Sequence, residues 1–291
     1  MNRSDKKFVV GFLAPALAFY LIFVMGPLAT AVYYGLTEWY GITEKAFVGL
    51  RNFGELLTER NYGVSFRNTV TMVALSVIIQ VPLGLVLAYL LYRMRRGFRV
   101  FRAVLFLPVV IAPIAVGIMF RLFYNSEIGL LNAFLTAVGA EGWQREWLSD
   151  PRILLYMVIA PQIWQYIGLY VVIFFAALQS VPTQIFESAT IDGASSLRIF
   201  RSIVIPLLSS VIGLGIILCV TGSMKAFEHS WIMTQGGPGF RSSYLTVYMF
   251  RVAFFERRMG YGSAVAVSIV VLSLLFTALY RKYLQSEGVE Y

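Results

Sequence analysis

The segment NTVTMVALSVIIQVPLGLVLAYLLY, residues Asn68–Tyr92, contains no acidic side chain, no basic side chain and no histidine. A helix needs roughly 17–25 predominantly apolar residues to cross the hydrocarbon core of a bilayer. Backbone groups in hydrocarbon must find hydrogen-bond partners inside the protein, and a helix provides them within one segment. This stretch therefore predicts a membrane-spanning helix.

Five further stretches repeat this pattern, which predicts an all-α integral membrane protein in one transmembrane domain, residues 1–291. The six transmembrane helices are expected at about residues 8–36, 68–92, 103–124, 153–179, 202–226 and 259–280. Runs such as Val265–Leu275 lack the alternation of polar and apolar residues that a transmembrane β-strand shows. The first run exceeds the roughly 7–15 apolar residues of a signal peptide, so it is predicted to remain as a helix.

The composition of the 291 residues agrees with a membrane protein. Hydrophobic residues make up 58% and charged residues only 13%, whereas soluble domains carry roughly 25% charge. Lipid must therefore solvate much of the surface. The net charge of +9 fits the basic bias of cytoplasmic loops better than nucleic-acid binding, so no nucleic-acid partner is expected. The single cysteine, Cys219, excludes an internal disulfide.

The orientation follows from the segment Arg93–Arg102, which contains five arginines and no acid. Short basic loops stay in the cytoplasm, so alternation predicts that both termini are cytoplasmic. Residues 38–67, 121–152 and 225–258 then lie outside, although Arg257 and Arg258 run against the rule there. Within the second outer loop, the uncharged Ile128–Ala140 is too short to span and predicts an interfacial or partly inserted helix.

The cytoplasmic connector, residues 181–201, predicts a helix–turn–helix. Pro182 suits the first turn of a helix, Gly193 can take the positive φ that ends it, and Ser195 can cap the next helix. Three apolar residues fall on one face with Glu187 nearby, namely Ile185, Phe186 and Ala189. An amphipathic connector and a docking element for a soluble partner are equally compatible with these residues.

Four motifs carry a resemblance to a known family. The string Glu187-Ser188-Ala189-x-x-Asp192-Gly193-Ala194, followed by Ile203-x-Ile205-Pro206, resembles the EAA loop of ABC importer permeases, with Ser188 in place of the usual alanine. Three other stretches resemble maltose-type permeases of the class 1 carbohydrate uptake group: Phe47–Phe53 with Arg51 at a usually acidic position, Phe106–Pro108 with Gly129–Asn132, and Lys225–Glu228 leading to Thr234–Pro238. The resemblance covers nearly the whole chain.

The resemblance implies a type I ABC importer permease fold and an importer that moves a sugar or oligosaccharide into the cytoplasm by alternating access. The implied partners are a second homologous permease, two cytoplasmic ATPase subunits and an extracytoplasmic solute-binding protein. The implied location is the cytoplasmic membrane of a bacterium or archaeon, surrounded by lipid. The implied ATPase-coupling residues are Glu187, Ser188, Ala189, Asp192, Gly193, Ala194 and Pro206.

The chain is not expected to be an enzyme. Its Gly236–Gly239 segment lacks the lysine of a G-x-x-x-x-G-K-[ST] phosphate loop, so ATP and Mg²⁺ are expected on the partner ATPase. No catalytic residue, cofactor or metal is expected on this chain, and its one histidine, His229, speaks against a metal cluster.

A path for sugar is expected along the fourth and fifth helices. Aromatic and neutral polar groups suit a sugar's C–H faces and hydroxyls, and polar groups at mid-membrane need a cavity or another helix. The resemblance to maltose-type permeases implies contacts with sugar from these two helices. When the chain is aligned with that family on Pro182 and on Gly236-Gly237-Pro238, the matching positions are Gln165, Tyr166, Leu169, Cys219, Gly222, Ser223 and Ala226. Helix packing is the alternative role for these residues. Lys225 is expected to snorkel outward, and Glu228 and His229 are expected outside.

Three other functions agree less well with the sequence. A permease for a polyol or glycerol phosphate is the nearest, but the basic residues near a span, Arg121 and Lys225, are expected at outer ends, which favours a neutral sugar. A secondary transporter usually needs acids within the membrane, and an intramembrane enzyme needs a nucleophile–base pair or paired acids there. The uncharged runs provide neither.

Overall fold

The computed structural model of the chain describes residues 3–42 and 44–286, and these are mostly helical. In chain order the helices are α1 (Arg3–Tyr20), α2 (Gly26–Gly35), α3 (Arg51–Thr58), α4 (Arg60–Arg93), α5 (Phe98–Val110), α6 (Pro113–Phe123), α7 (Leu130–Ala137), α8 (Leu154–Gln179), α9 (Thr183–Ile191), α10 (Ser196–Ile199), α11 (Ile205–Leu207), α12 (Ser209–Met224), α13 (Glu228–Thr234), α14 (Leu245–Phe250) and α15 (Met259–Ser286). Turns of π-helix lie at Leu21–Met25, Phe200–Val204 and Arg251–Phe255, and a 3₁₀ turn at Glu141–Trp143.

Five helical segments in the described part are long and apolar enough to cross a membrane: Phe12–Gly35, Arg60–Arg93, Leu154–Gln179, Ser209–Thr234 and Met259–Lys282. The pair α5 and α6 makes a sixth when the two helices count as one broken span. The all-α architecture with six spans is thus confirmed on that count. A helix, α7, also lies within the predicted outer segment 128–140.

The third span is not the continuous helix over 103–124 that the sequence predicts. Helix α5 ends at Val110, α6 begins at Pro113, and the two axes are bent by 93°. Proline has no N–H to donate and disfavours helical geometry in the residue before it. Ala112 accordingly has ψ 130°. Pro113 lies within an uncharged apolar run, so hydropathy predicts a continuous helix there, but the proline breaks it.

Other helix ends extend past the predicted bounds. Helix α4 begins at Arg60 rather than near 68, and α15 continues to Ser286 rather than ending near 280. Long basic side chains such as Arg67 can reach the membrane surface from within a helix. A prediction that ends a helix at its outermost uncharged residue therefore makes the helix too short. The fifth span, expected at 202–226, is divided into a π-turn, α11 and α12.

The described chain forms two compact units. One comprises the residues up to 63 together with 249–271, and the other comprises 64–248 together with those from 272 on. In the first unit, strand β1 (Thr37–Glu38) pairs antiparallel with β2 (Ala46–Phe47). The amide of Asn52 donates to the carbonyls of Gly35 and Thr37, both at 2.9 Å, and fixes α3 beneath this pair.

In the second unit α8 is the most enclosed span, because glycines bring its neighbours close. A Cβ on Gly84 of α4 would lie 2.5 Å from the Tyr170 Cβ. A Cβ on Gly168 of α8 would lie 2.0 Å from the Leu105 carbonyl oxygen of α5. Glycine lets helix backbones approach in this way in membranes. Helix α8 is therefore packed directly against both α4 and α5.

We expect Gly168→Ala to destabilise the protein, because the added methyl group meets a backbone atom that cannot move without displacing α5. Overpacking of this kind costs about 1–3 kcal/mol. The measurement is the temperature at which a detergent-solubilised fluorescent fusion loses its monodisperse peak. Gly222→Ala is the control, since no atom lies within 4 Å of that added Cβ, and it should leave this temperature unchanged or raise it. Equal effects of both changes would contradict the packing.

Candidate functional site

The connector between α8 and α12 folds into the predicted helix–turn–helix. Helix α9 ends before Gly193, which has φ +75°, and the Ser195 hydroxyl accepts a hydrogen bond from the Arg198 amide at 3.4 Å. Both local predictions are confirmed. Pro182 lies just before α9 rather than in its first turn, so its missing N–H still costs the helix nothing.

This helix pair is attached to the end of α4. The ring of Phe186 in α9 lies 5.4 Å from the ring of Tyr92. The Tyr89 hydroxyl donates to the Ser196 carbonyl at 3.2 Å, and the Arg93 guanidinium donates to the Ser196 hydroxyl. The last turn of α4 therefore makes a ring contact with α9 and hydrogen bonds with α10.

The side chains of α9 divide between the core and solvent. Phe186 and Ala189 pack against the apolar core of the second unit, whereas Ile185 remains 38% exposed. Of the predicted coupling residues, Ala189 and Ala194 are half-buried, and the exposed ones are Glu187, Ser188, Asp192, Gly193 and Pro206. Within residues 3–42 and 44–286, Glu187 forms no ion pair. Its carboxylate is therefore available to a basic group of another protein.

A cavity of about 290 Å³ lies between α4, α8 and the segment from α12 to α13. It is lined by Gln80, Gln162, Tyr166, Leu169, Tyr170, Leu218, Cys219, Gly222, Ser223, Lys225, Ala226, Glu228 and His229. Its wall thus combines two tyrosine rings, neutral polar groups and one pair of opposite charges.

Gln80 ties the three walls of this cavity together. Its Nε2 donates to the carbonyls of Gln162 at 3.4 Å and Ile163 at 3.3 Å, and its Oε1 accepts from the Cys219 thiol at 3.4 Å. Gln80 is 2% exposed. A buried amide that uses both ends in this way fixes the spacing of α4, α8 and α12, since leaving either end unpaired would be costly.

Six of the seven residues expected along the sugar path line this cavity: Tyr166, Leu169, Cys219, Gly222, Ser223 and Ala226. Gln165 does not line it. Its Nε2 donates to the Ile111 carbonyl at 2.8 Å, and the residue is fully buried. That carbonyl lies at the break between α5 and α6, where no helical N–H can reach it. Gln165 therefore supplies the hydrogen bond that the Ile111 carbonyl lacks at the break between α5 and α6.

Seven lining residues are not among those expected along the sugar path: Gln80, Gln162, Tyr170, Leu218, Lys225, Glu228 and His229. Gln162 lies one helical turn before Tyr166, a spacing that points to the same face. His229, expected outside, is only 2% exposed because α13 packs against α6 and α8. The Oε1 atom of Gln162 and the Nε2 atom of His229 are buried without a hydrogen-bond partner. Such atoms are costly unless a ligand or water binds them.

The Thr234–Pro238 motif helps to hold together the loop between α13 and α14. The Ser242 hydroxyl donates to the Gly237 carbonyl at 2.9 Å, and the Ser230 hydroxyl donates to the Ser242 carbonyl at 2.6 Å. The amide of Asn68 in α4 donates to the carbonyls of Phe240, Arg241 and Ser243 at 3.0–3.1 Å. This loop is therefore fastened to the start of the second span.

The family model and the relatives that match this chain all describe membrane components of transport systems. Residues 80–286 match the family model described as "Binding-protein-dependent transport system inner membrane component". The chain is 33% identical over 289 residues to the probable ABC transporter permease protein YurN of Bacillus subtilis, covering 98% of this chain and 99% of that one. It is 31% identical to the trehalose/maltose transport system permease protein MalF of Thermococcus litoralis, covering 94% and 91%.

A solved structure also shares the fold. A chain of a bacterial alginate ABC transporter, crystallised with its alginate pentasaccharide-bound periplasmic protein, superposes with a TM-score of 0.85 at 18% identity. The match covers 98% of this chain and 96% of that one. The two chains therefore have the same arrangement of helices, which is the fold of an ABC importer permease.

The two glutamines of α8 should respond differently to substitution. Gln165→Leu removes the donor to the Ile111 carbonyl, and a buried group left unpaired costs about 1–3 kcal/mol. Gln162→Leu removes a side-chain oxygen that has no partner, so stability should be unchanged or rise. Thermal unfolding of the two variants in the same detergent tests this. A melting temperature lowered by Gln162→Leu and not by Gln165→Leu would reverse the two assignments.

Proposed function

Since this chain belongs to the family of binding-protein-dependent transport system inner membrane components, we propose that it is a permease subunit of an ATP-driven importer for a neutral sugar or oligosaccharide. The observation that carries the substrate class is the cavity between α4, α8 and α12–α13. It is lined by Tyr166 and Tyr170 together with neutral polar residues such as Gln80, Gln162 and Ser223.

The chemistry of this wall matches a sugar. Tyr166 and Tyr170 suit the C–H faces, and the polar side chains of Gln162, Ser223 and His229 suit hydroxyl groups. Its volume of about 290 Å³ lies at the lower end of ligand pockets, roughly 300–1,000 Å³. We propose that one or two sugar units occupy it at a time.

The charges in the cavity favour a neutral substrate over glycerol phosphate. Lys225 and Glu228 both line it and have opposite sign, so an anion attracted by one is repelled by the other. Names of relatives support a sugar: besides the trehalose/maltose protein, they include a diacetylchitobiose uptake permease of Streptomyces coelicolor and a probable permease for starch degradation products of Thermoanaerobacterium thermosulfurigenes. A polyol remains the second candidate, since it offers the same hydroxyls.

The proposed assembly adds a second homologous permease, two ATPase subunits in the cytoplasm that bind ATP and Mg²⁺, and an extracytoplasmic binding protein. Both termini of this chain would be cytoplasmic. In the span Phe12–Gly35, the most apolar window contains no buried residue. A surface of this kind is compatible with lipid or a partner subunit on all sides.

Helix α4 offers a mechanical link between ATP and the cavity. Its end at Tyr89–Arg93 hydrogen-bonds to α10 and makes a ring contact with α9, and Gln80 on the same helix ties the cavity walls. Ten residues separate Gln80 from Leu90, about 15 Å at 1.5 Å per residue. We propose that ATPase closure moves α9–α10, and that α4 transmits the movement as a rigid rod that opens the cavity to alternate sides.

The partners are tested by affinity purification of the tagged chain from gently solubilised membranes, followed by mass spectrometry. We expect an ATPase subunit and a second permease to co-purify. Recovery of the chain alone, in a detergent that preserves known ABC complexes, would contradict the importer.

The substrate assignment is tested by Tyr166→Ala in the purified complex reconstituted with its binding protein. We expect the uptake of a sugar chosen from a labelled panel to fall about tenfold, equivalent to about 1.4 kcal/mol, with no loss of assembly. Trp164→Ala is the control, because this 41%-exposed aromatic residue of the same helix does not line the cavity. Equal loss in both variants, or a panel response limited to polyols or phosphates, would count against the sugar.

The coupling assignment is tested by combining Glu187→Ala with Gly193→Ala. We expect weaker ATPase binding and at least tenfold slower uptake, because the acid is lost and alanine at φ +75° is strained. Glu127→Ala removes a similarly exposed acid from a predicted outer loop and should change neither. Normal ATPase binding and uptake in the double variant would show that α9 is not the coupling element.

A further inference from the structure

The loop between α4 and α5 concentrates positive charge on an open surface. Within Arg93–Arg102 the arginines are Arg93, Arg95, Arg96, Arg99 and Arg102, called here the arginine loop. The first four are exposed and the fifth is half-buried against the ring of Phe175, 5.5 Å from its centroid. None of them forms an ion pair with another described residue. Five cations thus lie together without an acid to neutralise them.

The loop is confined to the level of a membrane surface. Helix α4 is a complete span that ends at Arg93, and α5 begins the next span at Phe98. Four residues, 94–97, separate the two helices, and four extended residues reach at most about 14 Å. The arginines therefore cannot extend far from the point where both helices leave the hydrocarbon. Lipid headgroups occupy that level.

Exposed apolar side chains alternate with the arginines at the start of α5. Val100, Phe101 and Val104 are 65%, 55% and 62% exposed. Apolar side chains beside basic ones are typical of a segment that inserts into the headgroup–acyl boundary, whereas a soluble partner would gain little from them at this depth. Long arginine side chains can reach from such a helix to the phosphate level.

We propose that the arginine loop is a binding site for the phosphate headgroups of anionic lipids in the cytoplasmic leaflet. Arginine pairs with phosphate through several N–H donors at once, and clusters of basic residues next to a span attract anionic lipid by about fivefold per residue. The site is formed by residues outside both the cavity and the exposed face of α9, so it does not depend on the proposed substrate.

The site also has a consequence for coupling, which rests on the proposed function. Arg93 bonds to Ser196 of α10, and the neighbouring Tyr92 contacts Phe186 of α9. Lipid that holds the arginine loop in place therefore also limits the movement of the helix pair that is proposed to meet the ATPase. Uptake should depend on the anionic lipid content of the membrane, whereas lipid binding should not depend on substrate.

Lipid binding is measured by native mass spectrometry of the purified complex, titrated with phosphatidylglycerol or with phosphatidylcholine of the same acyl chains. The test variant combines Arg95→Gln, Arg96→Gln and Arg99→Gln and keeps Arg93, the arginine of this loop that hydrogen-bonds to α10. We expect the preference for phosphatidylglycerol to fall at least tenfold, and to weaken with added salt in the unmodified protein. The control combines Arg121→Gln with Arg152→Gln, two exposed arginines of the predicted outer side, and should keep the preference.

Three outcomes would overturn the proposal. The first is an unchanged preference for phosphatidylglycerol in the triple variant. The second is displacement of the lipid by soluble glycerol phosphate at equal concentration, which would make the site one for a free phosphate compound. The third is loss of the ATPase subunit with normal lipid binding, which would assign the arginines to that protein. Failure of uptake alone would bear on the proposed function and leave the lipid site intact.

Discussion

A backbone carbonyl in hydrocarbon has no water to bind, so every break in a membrane helix must be matched by a donor from elsewhere in the protein. The break between α5 and α6 shows what this requires. Pro113 ends the helical pattern, and the amide of Gln165 pairs with the Ile111 carbonyl that the break exposes. With that bond made, α6 turns by 93° and packs against α13. His229 of α13 reaches the cavity wall as a result.

Helix α8 is the element on which the second unit is assembled. Close backbone approaches at Gly84 and Gly168 pack it against α4 and α5, and Gln80 links it to α12. These contacts leave the Gln162–Tyr166 side of α8 open to the cavity and bury the Gln165 side. One helix thereby serves packing on one face and the proposed recognition of sugar on the other.

Two residues of the motifs that resemble the permease family, Asn52 and Asn132, have structural roles, because each uses its side-chain amide to hold a backbone carbonyl at about 3 Å. Asn68, which lies outside those motifs, does the same. By contrast, Glu187 and four of the five arginines of the arginine loop are exposed, and neither Glu187 nor any of the five arginines forms an ion pair within residues 3–42 and 44–286. Residues that hold loops by buried hydrogen bonds and residues that could bind a partner protein or lipid are both polar, so the type of residue does not distinguish them. The extent to which each side chain is buried does distinguish them.

The sequence alone determined the six spans and the helix–turn–helix of the connector, because hydropathy, the positive φ of Gly193 and the cap of Ser195 are properties of neighbouring residues. Only the tertiary structure decided that the third span is bent, that Gln165 serves the break while Gln162 faces the cavity, and that His229 is buried. These depend on which helix packs against each face. Spacing along the chain tells which residues share a face of α8, but only its neighbours determine what that face meets.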